Sequence, residues 1–383
     1  MFSVRGMTIP DLHIGAVPLE QIRQESRILI ETLINTDVEY LIQLGDYFHK
    51  RLGLDSEESK FAIDFINELA SICQSKNIPF RQLKGTLTHD FFQLDNYKVF
   101  ETTYPCYKII DKACSEELLP GFHVLYLPEE YPEDYETYYK PFFEDEEGKL
   151  CYHAIFGHGE IDVAAHWGES DESERKYSDT PCHSAERLLE HSLGIVWFGH
   201  IHTRFVYKER LGFSGCFSRW CFGEEKAKGF DIIDVEEDEN GNMTTALHFI
   251  ENTLARKYRT IQSDKVFPSD SDITFMQKVV RKYMTDTDFL RIEFTTKFDY
   301  ELIDVLKAFC QTTYHNRVKI ENKFVYEGIS QLKETQHEDI TEVDEYLEDP
   351  ALKLEEKLLK YVEQSFPDSS ITMDDISDFL SQE

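Results

Sequence analysis

The 383-residue sequence predicts an α/β layered fold. Apolar strand-like runs alternate with helical patterns, and polar motifs repeatedly stand just after the strand-like runs, where such folds place their sites. The first run, "FSVRGMTI" at 2–9, leads into "PDLHIG", and residues 19–34 then carry helical periodicity. A strand "VEYLIQL" ends at Gly45-Asp46, a helix covers 58–73, and "IPFRQLKG" is again strand then turn. Residues 128–148, "PEEYPEDYETYYKPFFEDEEG", are acidic and rich in aromatics and proline, which predicts an exposed insertion or long loop. Strands resume at "LCYHAIFGH" and "GIVWFGH", and 205–251 is β-rich with a turn at Asn240-Gly241.

After "LARKYRTI" the pattern changes to helix 272–284, strand "FLRIEF", helix 299–311 and strand "RVKIENKF", a small α/β unit of its own. The expected division is 1–258, 259–333 and 334–383. The last segment holds 16 acidic residues against three lysines. Asp349-Pro350 opens a helix there, with Leu354, Leu358, Tyr361 and Val362 on one stripe. A second start, Thr372 with Asp375, precedes Ile376, Phe379 and Leu380. Two short amphipathic helices predict a docking element for a partner.

Composition narrows the class. Hydrophobic residues make up 41 %, ordinary for a globular protein. No apolar run approaches the roughly 18 residues of a membrane span, and the N-terminus has no signal-peptide pattern, so a cytoplasmic protein without a membrane partner is expected. Eight cysteines lack C-x-x-C spacing, which argues against structural zinc and for reduced thiols. The net charge of −33 repels nucleic acid, so any action on DNA needs a local basic surface or a basic partner.

Five motifs carry the chemistry: "DLH" (Asp11, His13), "GDYFH" (Asp46, His49), "GTLTHD" (His89, Asp90), "FGHGE" (His158) and "FGHIHTR" (His200, His202). In extended chain, residues i and i+2 point the same way, so Asp11 with His13, and His200 with His202, can grip one ion together. Mixed carboxylate and imidazole donors suit Mn, Fe or Zn better than Mg. Such a set supports two ions about 3.5–4 Å apart, bridged by a carboxylate and activating water against phosphorus.

In these motifs the chain resembles the calcineurin-like metallophosphoesterases, which implies a β-sandwich flanked by helices. The resemblance puts Asp11, His13 and His202 on one ion, Asp46 between the two, and His158 and His200 on the second. His89 would act on the transition state or leaving group, and Asp90 would orient it. The family's Gly-Asn-His-Asp turn is altered, with Thr88 in the asparagine position. A narrower resemblance lies in "GFSGCFSRWCFGEEKAKGF" (212–230), which is similar to the block after the last metal histidines of SbcD-type nuclease subunits of double-strand-break repair complexes, in a phage-like variant. That implies a small capping domain and a C-terminal helical docking element. It also implies Mn²⁺-dependent 3′→5′ exonuclease and endonuclease activity on DNA, and a homodimer within a heterotetramer with an SbcC-type coiled-coil ATPase. His49, three residues past Asp46, is placed to face substrate. Arg219 either contacts phosphate or pairs with Glu224 or Glu225, and Lys226 and Lys228 are expected on a solvated rim. The competing readings are a phosphatase or phosphodiesterase acting on protein or small nucleotides, and a catalytically weak scaffold for the ATPase.

Overall fold

The computed structural model describes residues 2–90, 92–146, 148–163, 182–268, 270–296 and 298–323. Two six-stranded sheets face one another. The first runs in the order Met243–Glu251, Gly229–Glu237, Ser3–Ile9, Tyr40–Gln43, Phe80–Leu83, Tyr107–Ile110. Its last four strands are parallel, and the 229–251 hairpin adds to them antiparallel. The second runs Phe205–Tyr207, Leu211–Phe213, Ser192–Gly199, Tyr152–His158, Phe122–Leu127, Cys114–Leu119, and its four central strands are parallel.

The strands read as near-continuous apolar runs because both faces of each sheet are covered. Ile42, Leu44, Leu83, Tyr126, Phe156, Trp197 and Ile233 fill the space between the sheets. Helices Leu19–Asn35 and Glu57–Lys76 close the outer face of the first sheet, burying Ile22, Leu29, Leu33, Phe65 and Leu69 against Met7, Ile9 and Leu41. Those helical positions fall at the three- and four-residue spacing of one face. Ser56 caps the second helix by accepting from the Ser59 amide at 3.1 Å, and Asn77 ends it in the left-handed region.

The stretch 128–148 corrects its expectation. Tyr139 is fully buried and Phe143 nearly so, packed with the short helix Ala185–His191 against the outer face of the second sheet. Its aromatics cover the sheet while most of its charges face solvent, so composition alone mistook a covering layer for a free loop.

The strands Tyr258–Gln262, Phe289–Phe294 and Val318–Asn322 form a separate parallel sheet, crossed by helices Ile273–Tyr283 and Tyr300–Tyr314. Ile261, Met276, Val280, Leu290, Ile292 and Leu306 give it its own core. The helices expected within 334–383 lie outside the described residues. None of the eight cysteines is in a disulfide among the described residues. No described helix is long and apolar enough to cross a membrane.

Candidate metal centre at the strand ends

The parallel strands of both sheets deliver their C-terminal ends to one place. Asp11 and His13 follow Ser3–Ile9, Asp46 follows Tyr40–Gln43, His158 ends its strand, and His200 and His202 follow Ser192–Gly199. The Asp46 carbonyl accepts from the amides of Leu12 and His13 at 3.1 and 3.0 Å, tying the first two motifs together. The Asp11 carboxylate in turn accepts from the His200 amide at 2.9 Å, linking the sheets.

Two donor groups result. Asp11, His13 and His202 form one, and Asp46, His158 and His200 the other, with the ligand atoms of each group within 4.8 Å of one another. Asp46 stands between them: Oδ2 lies 3.8 Å from His13 Nε2, and Oδ1 lies 3.3 Å from His158 Nε2. His13 Nε2 and His202 Nε2 face each other at 3.0 Å. Asp11 Oδ1 is buried without a hydrogen-bond partner among the described residues. Converging imidazole nitrogens beside an orphaned carboxylate oxygen are a fit for a divalent cation, so the buried clusters can hold metal ions.

The rings are aimed from behind. His158 Nδ1 sits 2.7 Å from the Leu44 carbonyl, which turns Nε2 toward Asp46. His202 Nδ1 lies 3.2 Å from Glu224 Oε1, and Lys228 braces that glutamate at 3.4 Å. Burial would push the Asp46 carboxyl up, but His158 outweighs it and holds the group well below its usual range. Burial would lower His158, yet Asp46, Asp11 and Glu129 raise it well above an ordinary histidine. Burial keeps His13 well below its normal value and lowers His200 to about 3, so both imidazoles are neutral and able to ligate. Asp11 is pushed up to about 8 by burial, a cost that a bound cation would relieve.

The altered turn reads differently in three dimensions. A one-turn helix, Leu87–Asp90, leaves Leu87 and Thr88 exposed and turns Thr86 inward. Thr86, rather than Thr88, is therefore the threonine that faces the donor groups. Its amide donates to Asp46 Oδ1 at 2.6 Å, and its hydroxyl lies 3.4 Å from both His158 Nε2 and His200 Nδ1. Asp90 does not orient His89. Its carboxylate accepts from the amides of Gly85 and Phe48 at 2.8 and 3.1 Å, and so holds the turn against the Asp46 loop. His89 packs with its ring 4.7 Å from His13 and 5.5 Å from His49. His13, His49 and His89 also form a group whose nitrogens lie within 4.8 Å of one another.

The 212–230 block departs from expectation at two cations. Arg219 is buried, and its guanidinium donates to the carbonyls of Lys226, Ala255 and Arg256 at 2.7 to 3.4 Å, so it does not reach for phosphate. It joins the sandwich to the start of the third sheet. Lys228 is buried rather than on a rim, donating to the His202 carbonyl at 2.9 Å. An arginine or lysine in a Gly-rich block looks the same in sequence whether it faces solvent or carbonyls.

Sequence reasoning missed Glu129, Glu224 and Trp220. Glu129, 4 % exposed, follows strand Phe122–Leu127 and brings Oε2 to 3.5 Å from His200 Nδ1 and 3.7 Å from His158 Nε2. The strand-end rule that located the other donors also points to it. Trp220 sets its ring 4.5 Å from that of His13 and 4.7 Å from that of His202.

No family model and no curated protein sequence matches the chain. Among solved structures, GAP50, the anchor in the inner membrane complex of Plasmodium, aligns at 12 % identity and TM-score 0.38 over 66 % of this chain and 86 % of that one. TT1561 of Thermus thermophilus aligns at 10 % identity and TM-score 0.36 over 64 % of this chain and 99 % of that one. Likenesses this weak carry nothing about activity. What the arrangement can do follows from its own side chains: two buried mixed Asp/His groups that meet at one carboxylate.

Proposed function

We propose that the chain is a metal-dependent DNA nuclease, an SbcD-type subunit with exonuclease and endonuclease activity. In this reading it uses two divalent ions, Mn²⁺ first among them, and is paired as a homodimer with a coiled-coil ATPase. The observation that carries the reading is Asp46, placed between two buried donor groups of the mixed oxygen and nitrogen kind that suits Mn²⁺. When bound, two such ions supply Lewis acidity at the phosphoryl group and an activated water. The protein's share is to hold the His13 and His200 imidazoles neutral, to keep Asp46 ionised, and to exclude bulk water with the buried rings. His89 and His49 stand at the rim of the first group, and His89 is positioned to stabilise charge or deliver a proton, an effect worth roughly 10²–10⁴ in rate. The DNA reading is supported by the resemblance of the 212–230 block to SbcD-type nuclease subunits; the block's Glu224 and Lys228 also brace His202 from behind. The charge of −33 gives the ATPase the task of supplying much of the DNA surface, and 334–383 is the segment proposed to dock it.

The test is cleavage of linear duplex DNA with Mn²⁺ or Mg²⁺, with and without a candidate ATPase. Asp46→Ala is expected to abolish Mn²⁺-dependent cleavage; full activity of the variant at equal purity would falsify the two-ion reading. The acidic surface also favours a second reading, hydrolysis of a small nucleotide or a phosphoprotein. Turnover of a small phosphodiester or phosphopeptide with no DNA cleavage in the presence of the ATPase would select it.

A further inference from the structure

We infer that Glu129 is a ligand of the second ion, taking the place of the asparagine amide that the altered turn lacks, and that Thr86 positions it; this rests on the two-ion reading above. Donor atoms about 2.0–2.2 Å from one ion lie about 3.0–3.6 Å from each other. Around the second group His158 Nε2 is 3.3 Å from Asp46 Oδ1, and Glu129 Oε2 is 3.5 Å from His200 Nδ1 and 3.7 Å from His158 Nε2. Glu129 thus sits at coordination spacing from His200 and just beyond it from His158, both among the three donors already there.

The carboxylate is also fixed in place. Its own amide donates to the Lys84 carbonyl at 3.2 Å, which pins the end of the second sheet's strand to the end of Phe80–Leu83 in the first. The Tyr131 hydroxyl donates to Oε1, leaving Oε2 turned toward the imidazoles. The Thr86 hydroxyl lies 3.0 Å from that same Oε2, while the Thr86 amide holds Asp46. One threonine therefore aligns two carboxylates. The exchange replaces a neutral amide by an anion. It gives the second ion four protein ligands and one more unit of negative charge than the resembled family's set, which strengthens its hold on a hard divalent ion.

The measurement is equilibrium dialysis against Mn²⁺ with elemental counting of bound metal per folded chain. Wild type is expected to hold two ions. Glu129→Gln, which keeps the shape and removes the charge, is expected to weaken the second by roughly 10- to 100-fold while the first is retained. Glu130→Gln is the neighbouring control, since Glu130 instead accepts from the Ala113 amide and the Tyr138 hydroxyl, both at 2.7 Å; it is expected to hold two. Two ions at wild-type affinity in Glu129→Gln would overturn the assignment and leave the two-ion reading standing. A wild-type chain that holds fewer than two ions would instead bring down the two-ion reading and the assignment with it. Should Glu129→Gln fail to fold, a wild-type crystal soaked in Mn²⁺ decides. Oε2 within about 2.2 Å of the second ion supports the role, and Oε2 lying out of contact with it refutes the role.

Discussion

At the residue scale, the site is built from backbone that most side chains avoid. His13, Asp46 and His200 have φ of 45°, 46° and 87°, all in the left-handed region. Each such residue costs on the order of 1–3 kcal/mol and persists only where its surroundings enforce it. Here the enforcement is visible in the amide bonds that Asp46 and Asp11 make across the motifs. Gly85 belongs to the same device, because a Cβ there would fall 2.1 Å from the Asp46 amide nitrogen and 2.2 Å from its Oδ1. Gly85→Ala is therefore expected to displace the shared carboxylate and weaken Mn²⁺ binding by at least about tenfold, with the far-UV circular dichroism unchanged. Unaltered Mn²⁺ affinity in that variant would show that the contact is soft. At this scale much of the set of converging side chains could be read from the sequence, because alternation in extended chain and the strand-end rule are local. The identity of the inward threonine could not be read that way. It depends on a single helical turn at 87–90, which points Thr86 in and Thr88 out, and nothing in "GTLTHD" distinguishes the two.

At the scale of elements, helices and strands followed from periodicity. What periodicity could not give is who satisfies the ends. Lys76, at the close of the second helix, donates to the carbonyls of Leu33, Ile34 and Thr36 at 2.7, 3.1 and 2.7 Å, covering the C-terminus of the first helix. The short strand Cys182–His183 offers a test by pH. His183 is buried among Tyr135, Tyr139 and Phe198, and burial, with Arg187 adding to it, lowers its pKa to about 3. As pH falls below the ordinary histidine value, the unfolded chain takes up a proton that the folded chain refuses. The contribution is thus complete above about pH 6.5 and is lost progressively as pH drops toward 3, at up to about 1.4 kcal/mol per unit. His183→Phe keeps a ring in place and removes the titration. Its urea-unfolding stability should fall less between about pH 7 and about pH 5 than that of wild type, by up to about 2 kcal/mol. Equal falls in the two proteins would assign the acid sensitivity elsewhere.

At the scale of the molecule, the layering was legible and the wiring was not. Alternating strands and helices announced a layered α/β fold, but nothing local says that Gly229–Glu237 returns to pair with Ser3–Ile9. That pairing, like the junction made by buried Arg219, is a contact between distant parts of the chain, and single residues look the same in sequence whether they make it or face water. Glu129 also comes from the second sheet, as His158 and His200 do, but it stands at the head of the acidic run "PEEYPEDYE", where nothing local sets it apart from its neighbours. In the proposed reading both sheets end on one pair of ions sharing Asp46. Electron paramagnetic resonance of the protein loaded with two equivalents of Mn²⁺ addresses it most directly. Two spin-coupled ions about 3.5–4 Å apart are expected to give a broadened spectrum, which gives way in Asp46→Ala to weaker binding and the resolved hyperfine lines of isolated ions. Isolated-ion lines from the wild-type protein at that loading would contradict it.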